Sequence, residues 1–299
     1  MLSDDEILGI LYLQLTGMGV LGNCFLLFLY SYNFLTGIKT KTIKIIVTHL
    51  AFSNTMLLLF RGIPTTARVW GVKCFLDGLG IRIITYLQIL PRGISLGITC
   101  LLNSFQAITL TPNGSIWAEL KTRAPKCITP CILLIWIFNI LVNIVGFVFL
   151  TGPKNSTESK HGCNMGYRSL DMYNTDHLII IIATFIHDAI LVCLMACSSG
   201  YMVFILYRHN QLIKYIHSTS LCRKISHETR ATKAILLLVG TFIFFNAPSP
   251  IFILYMFYFK EGSVWAIHAS ALLSLCYPAV NPFILISIDT HMPKVCCVH

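Results

Sequence analysis

Seven apolar stretches, each long enough to cross a bilayer, take up most of the 299 residues of this chain. Hydrophobic residues make up 56% of the sequence and charged residues only 11%. A helix needs about 20 mostly apolar residues to cross the hydrocarbon layer. Because lipid offers no partner to free backbone groups, each stretch is predicted to be an α-helix. The sequence therefore predicts an all-α membrane protein built as a seven-helix bundle.

The predicted spans share a length suited to a membrane and few charged residues. Their connections are short apart from two, and no linker-like composition divides the chain, so we expect residues 1–299 to form one domain. Cysteines within the spans are expected to be small apolar packing residues. The spans are Ile7–Tyr32, Ile43–Thr66, Leu79–Leu110, Cys127–Leu150, His177–Tyr207, Ala231–Phe259 and Val264–Ile288.

Basic residues are distributed unevenly between the two sets of connections. Most loop lysines and arginines follow the first, third, fifth and seventh spans, as Lys39, Lys121 and Lys224 do. Lysine and arginine are enriched in cytoplasmic loops, so we expect an extracellular N-terminus and a cytoplasmic C-terminus. The net charge of +10 then reflects topology and contact with anionic membrane lipid, and we expect no nucleic-acid partner.

Five residues in the connections are candidates for covalent modification. Cys74 and Cys163 lie in predicted external connections, where a disulfide is permitted; a bridge and two free thiols both stay open. Asn155 begins a glycosylation sequon in the same external loop as Cys163. Cys296 and Cys297 follow the last span on the predicted cytoplasmic side, where palmitoylation and unmodified thiols are the alternatives.

Two charged residues lie deep within predicted spans. At 1.5 Å per residue, Arg92 lies about 20 Å from the start of the third span. Asp188 lies about 17 Å from the start of the fifth span, which enters from the same side. A charge within a span costs about 2.5–3.5 kcal/mol. We therefore predict an ion pair between Arg92 and Asp188; separate pairing with water, backbone or a hydroxyl is the alternative.

Further polar residues lie in the predicted outer or middle parts of the spans. Pockets between helices are mostly apolar with a few converging polar groups, so these residues are candidates for a ligand pocket, with packing or loop contacts as the alternative. They are Arg82, Gln88, His187, Asn246 and His268.

Prolines occur in the last two predicted spans, and Pro248 and Pro282 are among them. A proline within a helix removes a backbone hydrogen bond and kinks it. A kinked sixth helix would let its inner end move when its outer half contacts a ligand; a static kink is the alternative. Candidates for G-protein contact at the inner end are Arg208, Arg223, Lys224, Arg230 and Lys233.

Short segments of the chain match patterns of a known receptor superfamily. Gly22-Asn23 resembles the Gly-Asn pair in the first helix of G-protein-coupled receptors. Other segments resemble, in order, those of vomeronasal type-1 receptors: His49–Asn54, Arg92–Ser95, Cys100–Leu102, Phe105–Thr109, Leu206–His209, Glu228–Thr232, Ile235–Val239 and Asn281–Ile286.

This resemblance implies a pheromone receptor in the plasma membrane of sensory neurons. Such a receptor binds a small pheromone-like ligand between the outer helix halves, activates an inhibitory-type heterotrimeric G protein and needs no cofactor. Phe105-Gln106-Ala107 stands where rhodopsin-like receptors have Asp-Arg-Tyr, and the vomeronasal family shares that difference. The family's cysteine in the third helix is replaced by Ile81 here, so the usual outer-loop disulfide would need Cys74 instead.

Other classes fit the sequence less well. His227 and Glu228 begin a zinc-protease motif, but Ala231 stands in the place of the second ligand, so we expect no metal and no enzyme. A transporter or channel often has paired halves with matching broken helices, whereas the proline-rich spans here are adjacent. A bitter-taste-like receptor is the nearest alternative, since that family also lacks Asp-Arg-Tyr.

Overall fold

A computed structural model describes residues 4–36, 42–72, 78–111, 118–149, 175–215, 235–246, 248, 251–252 and 264–288. All extended regular structure in this part of the chain is helical. Six segments are long and apolar enough to cross a membrane, and one shorter apolar helix adds to them. The predicted all-α membrane bundle is thus confirmed. The helices are α1 Asp4–Leu35, α2 Thr42–Leu57, α3 Ile63–Val69, α4 Gly78–Leu110, α5 Ala118–Phe149, α6 Thr175–Tyr215, α7 Ile235–Asn246 and α8 Val264–Ile288.

Several helix boundaries differ from the predicted spans. The second span is not one regular helix, because a π-helical turn over Leu58–Gly62 joins α2 to α3. Helix α5 begins at Ala118, well before the apolar stretch, and Arg123 donates to Glu119 across one turn there at 2.6 Å. Such pairs stabilise a helix in water. Hydropathy therefore locates the membrane segment but underestimates the length of the helix.

Helix α4 lies at the centre of the bundle and packs against α2, α5 and α6, while α1 packs against α2 and α8. Small residues allow helices in lipid to approach closely. A Cβ on Gly19 of α1 would lie 2.9 Å from the backbone Cα of Ala279 in α8. A Cβ on Gly97 of α4 would lie 2.8 Å from the Ile135 side chain in α5. These glycines set the spacing between the helices.

The cysteines of the spans are divided between the interior and the surface of the bundle. Cys100 is buried, but Cys24, Cys193 and Cys197 are exposed on the bundle surface. That surface is otherwise rich in large apolar side chains, such as Leu21 of α1. Lipid tails are as apolar as a leucine, so an apolar residue in a membrane helix faces outward as readily as inward. Exposure of these thiols on the surface of the bundle is therefore compatible with their role as small apolar residues.

Side chains of α1, α3 and α8 meet at one end of the bundle, which we call the amino end. The indole of Trp70, directly after α3, lies against Gly9 of α1, where any Cβ would collide with the ring. Gly71 then turns the chain with a φ of 69°, a conformation that glycine adopts without strain. The first residues of α8 lie at this end too, because His268 contacts Tyr12 of α1. Helix α4 begins at this end after the turn, and α6 runs parallel to it through the contacts of Arg92 with Asp188 and of Asn103 with Met195.

Candidate functional site

The two charged residues predicted to pair across the bundle lie side by side. Arg92 of α4 donates from Nη2 to Asp188 Oδ2 of α6 over 2.7 Å. The side chains are 23% and 14% exposed, so most of each side chain is covered by other protein atoms. Charge-assisted hydrogen bonds of this length are strong. The contact connects α4 to α6 within their apolar segments and leaves the pair with no net charge.

An imidazole extends this pair toward α5. His187 Nδ1 lies 3.4 Å from Asp188 Oδ1, the carboxylate oxygen that Arg92 Nη2 does not contact. The ring also packs against Phe138 of α5, with centroids 5.3 Å apart. Arg92, Asp188, His187 and Phe138 therefore form a continuous group on three helices, which we call the central cluster.

Close packing of α4 against α5 holds the central cluster in place. Gly93 follows Arg92, and a Cβ there would collide with Asn139 Oδ1. Asn139 follows Phe138, is buried, and donates from Nδ2 to the Ile135 carbonyl. Only a residue without a side chain permits this approach. The glycine thus brings the backbone that carries Arg92 close to the backbone that carries Phe138.

A second polar group is fully buried between α2, α4 and α8. Ser95 donates to Asn54 Oδ1 at 2.8 Å. Thr99 donates to the Ser95 carbonyl at 2.7 Å, so the Tyr277 hydroxyl, 2.9 Å from Thr99 Oγ1, is the donor in their contact. The Tyr277 ring meets Phe242 of α7 edge to face, with centroids 4.6 Å apart. Tyr277 therefore touches both α4 and α7.

The predicted proline effect in α8 has a visible consequence. Pro282 has no backbone N–H, so the Pro278 carbonyl one turn earlier loses its helical donor. Asn23 of α1 replaces it, donating from Nδ2 to that carbonyl at 2.8 Å and also to the Gly19 carbonyl. An amide in α1 thereby compensates for a broken backbone bond in α8. Asn23 belongs to the Gly-Asn pair singled out in the sequence.

The pocket candidates do not all converge. Gln88 is half-buried on α4, one turn before Arg92 and on the same face. Asn246 is buried and donates to the Phe242 carbonyl of its own helix. His268 Nδ1 lies 3.1 Å from the Tyr12 hydroxyl at the amino end. No hydrogen bond or ring contact within the described ranges joins Asn246 or His268 to the central cluster. Arg82 lies in the second turn of α4, and its side chain is outside the described part.

Most candidates from the connections also lie outside the described residues. Arg208 is the exception among the G-protein contact candidates, and it is exposed on α6. Within the described ranges, no group of three His, Cys, Asp or Glu side chains is placed to hold a metal ion. The candidates outside these ranges are Cys74, Cys163, Asn155, Arg223, Lys224, Arg230, Lys233, Cys296 and Cys297.

One pattern in the sequence was missed. Helix α4 carries a polar residue at almost every turn. Because these residues are three or four positions apart, they form a stripe along one face of the helix. Asn103, on this stripe, donates from Nδ2 to the Met195 carbonyl of α6 at 2.8 Å. The stripe consists of Gln88, Arg92, Ser95, Thr99, Asn103 and Gln106.

Comparisons with known proteins give one consistent result. The model of the vomeronasal organ pheromone receptor family matches residues 6–298. The protein named vomeronasal type-1 receptor 3 of Homo sapiens is 37% identical, over 99% of this chain and 96% of its own length. Vomeronasal type-1 receptor 1 of Gorilla gorilla gorilla is 36% identical, over 96% of this chain and 82% of its own length.

A fish protein is also similar over most of the chain. Olfactory receptor class A-like protein 1 of Danio rerio is 30% identical, over 93% of this chain and 88% of its own length. The similarity therefore covers all the helices described above and extends well beyond mammals.

Proposed function

This chain belongs to the vomeronasal type-1 receptor family, and we propose from that premise that it binds a small pheromone-like ligand and activates an inhibitory-type G protein. The membership makes it a multi-pass chemosensory receptor. The ligand contacts the central cluster, in the halves of α4, α5 and α6 that lie nearer the amino end of the bundle. That end faces the extracellular side of the plasma membrane, and the opposite end faces the G protein.

The observation that carries this proposal is the ion pair between Arg92 and Asp188. Charged residues within membrane helices are costly, and they mark functional sites when they face the bundle interior. Here they lie beside a partly exposed imidazole and the apolar ring of Phe138. A mostly apolar surface with a few polar groups suits a small ligand. Gln88, one turn nearer the amino end, extends this surface along α4.

Two polar contacts between α4 and α6 suggest how ligand binding reaches the far end of the bundle. Arg92 holds α6 at Asp188, and Asn103 holds it at Met195, further from the amino end. A ligand that changes the first contact would rotate α6 about the second. In a protein with two arrangements of such a helix, a ligand favours the arrangement that it binds better. Arg208, further along α6, would move with it.

Signalling in transfected cells tests the function. The receptor is expressed with a surface tag, adenylyl cyclase is activated with forskolin, and volatile and steroid panels are applied. We expect a concentration-dependent fall in cyclic AMP that pertussis toxin abolishes. A receptor that reaches the surface in quantity but changes cyclic AMP neither with ligand nor by constitutive activity would contradict the proposal.

A variant at the opposite end of the bundle tests the G-protein contact. Arg208→Ala removes an exposed charge on α6 and is expected to weaken cyclic AMP inhibition at equal surface level. Arg123→Ala is the matched control, because Arg123 is also exposed but pairs with Glu119 within α5. Equal losses in both variants would mean that Arg208 has no specific role.

Tags at the two termini test the proposed orientation. An N-terminal tag is expected to be labelled on intact cells, and a C-terminal tag only after permeabilisation. Labelling of both tags on intact cells would show that the assigned topology is wrong.

A further inference from the structure

The contact between His187 and Asp188 fixes which ring nitrogen of the imidazole carries its hydrogen. A carboxylate only accepts hydrogen bonds, so Nδ1, 3.4 Å from Asp188 Oδ1, is the nitrogen that carries the hydrogen. In a neutral imidazole the other nitrogen is then an acceptor. His187 therefore presents a lone pair at Nε2.

Arg92 keeps the carboxylate in this accepting role. Its guanidinium is a permanent cation and donates to Asp188 Oδ2 at 2.7 Å, which leaves Oδ1 for the imidazole. The guanidinium and the carboxylate together carry no net charge. For the same reason a charged ligand meets no net opposite charge at this site.

The Nε2 atom of His187 is open to a new partner. None of the hydrogen bonds within the described ranges uses it, and the side chain is 30% exposed. Phe138, exposed on α5, lies against the same ring. The site thus combines one hydrogen-bond acceptor with an apolar surface next to it.

We propose that the central cluster selects neutral, apolar molecules that carry a hydroxyl or N–H group, which donates to Nε2 of His187. A ketone, aldehyde or ether of the same shape has no hydrogen to donate and binds less tightly. This selectivity rests on the proposed function only in taking the cluster as the ligand site. It names the chemical class of ligand, which the function alone leaves open.

Matched pairs of probes test the selectivity. The pairs are menthol with menthone and 1-decanol with its methyl ether, and in each pair only the alcohol donates. Binding is measured by thermal stabilisation of the purified receptor in nanodiscs, because a ligand that binds the folded state raises its stability. The ether and the ketone control for effects of partitioning into the bilayer. One added hydrogen bond predicts about five- to tenfold tighter binding of the alcohols.

Variants at His187 assign the preference to this ring. His187→Phe keeps an aromatic ring without an acceptor and is expected to bind the two members of each pair equally. His187→Gln retains an acceptor and should keep part of the preference. His49→Phe is the control, since His49 is also half-buried in a span but contacts Trp136 instead, and this variant should keep the full preference.

Exchange of the two charges gives the sharpest test. In the double variant Arg92→Asp with Asp188→Arg, a guanidinium neighbours His187 and can only donate. Nδ1 must then accept and Nε2 must carry the hydrogen. The alcohol preference should then disappear, because a hydroxyl oxygen and a ketone oxygen both accept from the hydrogen on Nε2.

Two results would overturn the proposal: equal binding within the wild-type pairs, including no binding of either member, or an unchanged alcohol preference in the exchanged variant. Because binding is measured without a G protein, alcohol-selective binding with no cyclic AMP response would instead refute the proposed signalling and leave the selectivity standing.

Discussion

Removing one partner of the Arg92–Asp188 pair should destabilise the bundle more than removing both. Two unit charges about 4 Å apart attract by about 4 kcal/mol at an effective dielectric constant of 20. Loss of one partner of a buried pair typically costs about 3–5 kcal/mol, because the other charge is left unpaired. Both side chains are partly exposed, 23% and 14%, so we expect about 3 kcal/mol for Arg92→Met or for Asp188→Leu.

The double variant should behave differently from either single one. Replacement of a buried ion pair by apolar residues of similar size is often neutral or stabilising. We therefore expect Arg92→Met with Asp188→Leu to lose less than about 1 kcal/mol of unfolding free energy. It should also recover the surface delivery that each single variant loses.

The free energy of unfolding is measured by denaturant titration in mixed micelles, and surface delivery by flow cytometry of a tagged receptor. The pair of Glu119 and Arg123 is the matched control, because its N–O distance of 2.6 Å is as short but its side chains are 73% and 72% exposed. Exposed pairs contribute about 0.2–1 kcal/mol, so Arg123→Met should cost well under 1 kcal/mol. If the two central substitutions were additive, or if each cost as little as Arg123→Met, the argument from an unpaired charge would be refuted.

Two further predictions concern the packing around the site. Gly19→Ala should lower the unfolding free energy by about 1–3 kcal/mol through overpacking against α8, whereas Gly17→Ala, with nothing within 4 Å of its Cβ, should be neutral or slightly stabilising; denaturant titration distinguishes them, and equal effects would contradict the close approach. Tyr277→Phe should cost about 1 kcal/mol by removing the hydrogen bond to Thr99 while keeping the ring, whereas Tyr32→Phe, at an exposed position, should cost nothing measurable; a stable Tyr277→Phe variant would show that the hydroxyl contributes little.

The sequence alone predicted the helices and one contact between them, and both rest on the same physics. Length and hydropathy decide where a chain crosses a membrane. The depth of a residue along a helix follows from the rise per residue. Two opposite charges at equal depth in lipid are stabilised by pairing, because an unpaired charge is costly there. The close contact of Arg92 and Asp188 agrees with that reasoning.

The other contacts of the site could not be predicted in this way, because they depend on how each helix is rotated about its own axis. Depth does not say that His187 turns toward Phe138 or that His268 turns toward Tyr12. The π-helical turn after α2 was also unexpected. It lies where Gly62 meets Thr16 of α1, so closely that any Cβ would collide. Contacts between helices decide both features, and a hydropathy profile contains no information about them.

The polar stripe of α4 explains why this helix can connect the two ends of the bundle. A polar side chain in lipid needs a partner on another helix or in its own backbone. Along α4 the stripe reaches α6 at Arg92, α2 at Ser95, α8 at Thr99 and α6 again at Asn103. Each contact is directional, so α4 cannot rotate without changing several of them together. A ligand that alters the contact of Arg92 would therefore act on the whole row, whereas an apolar helix could adjust one side chain at a time.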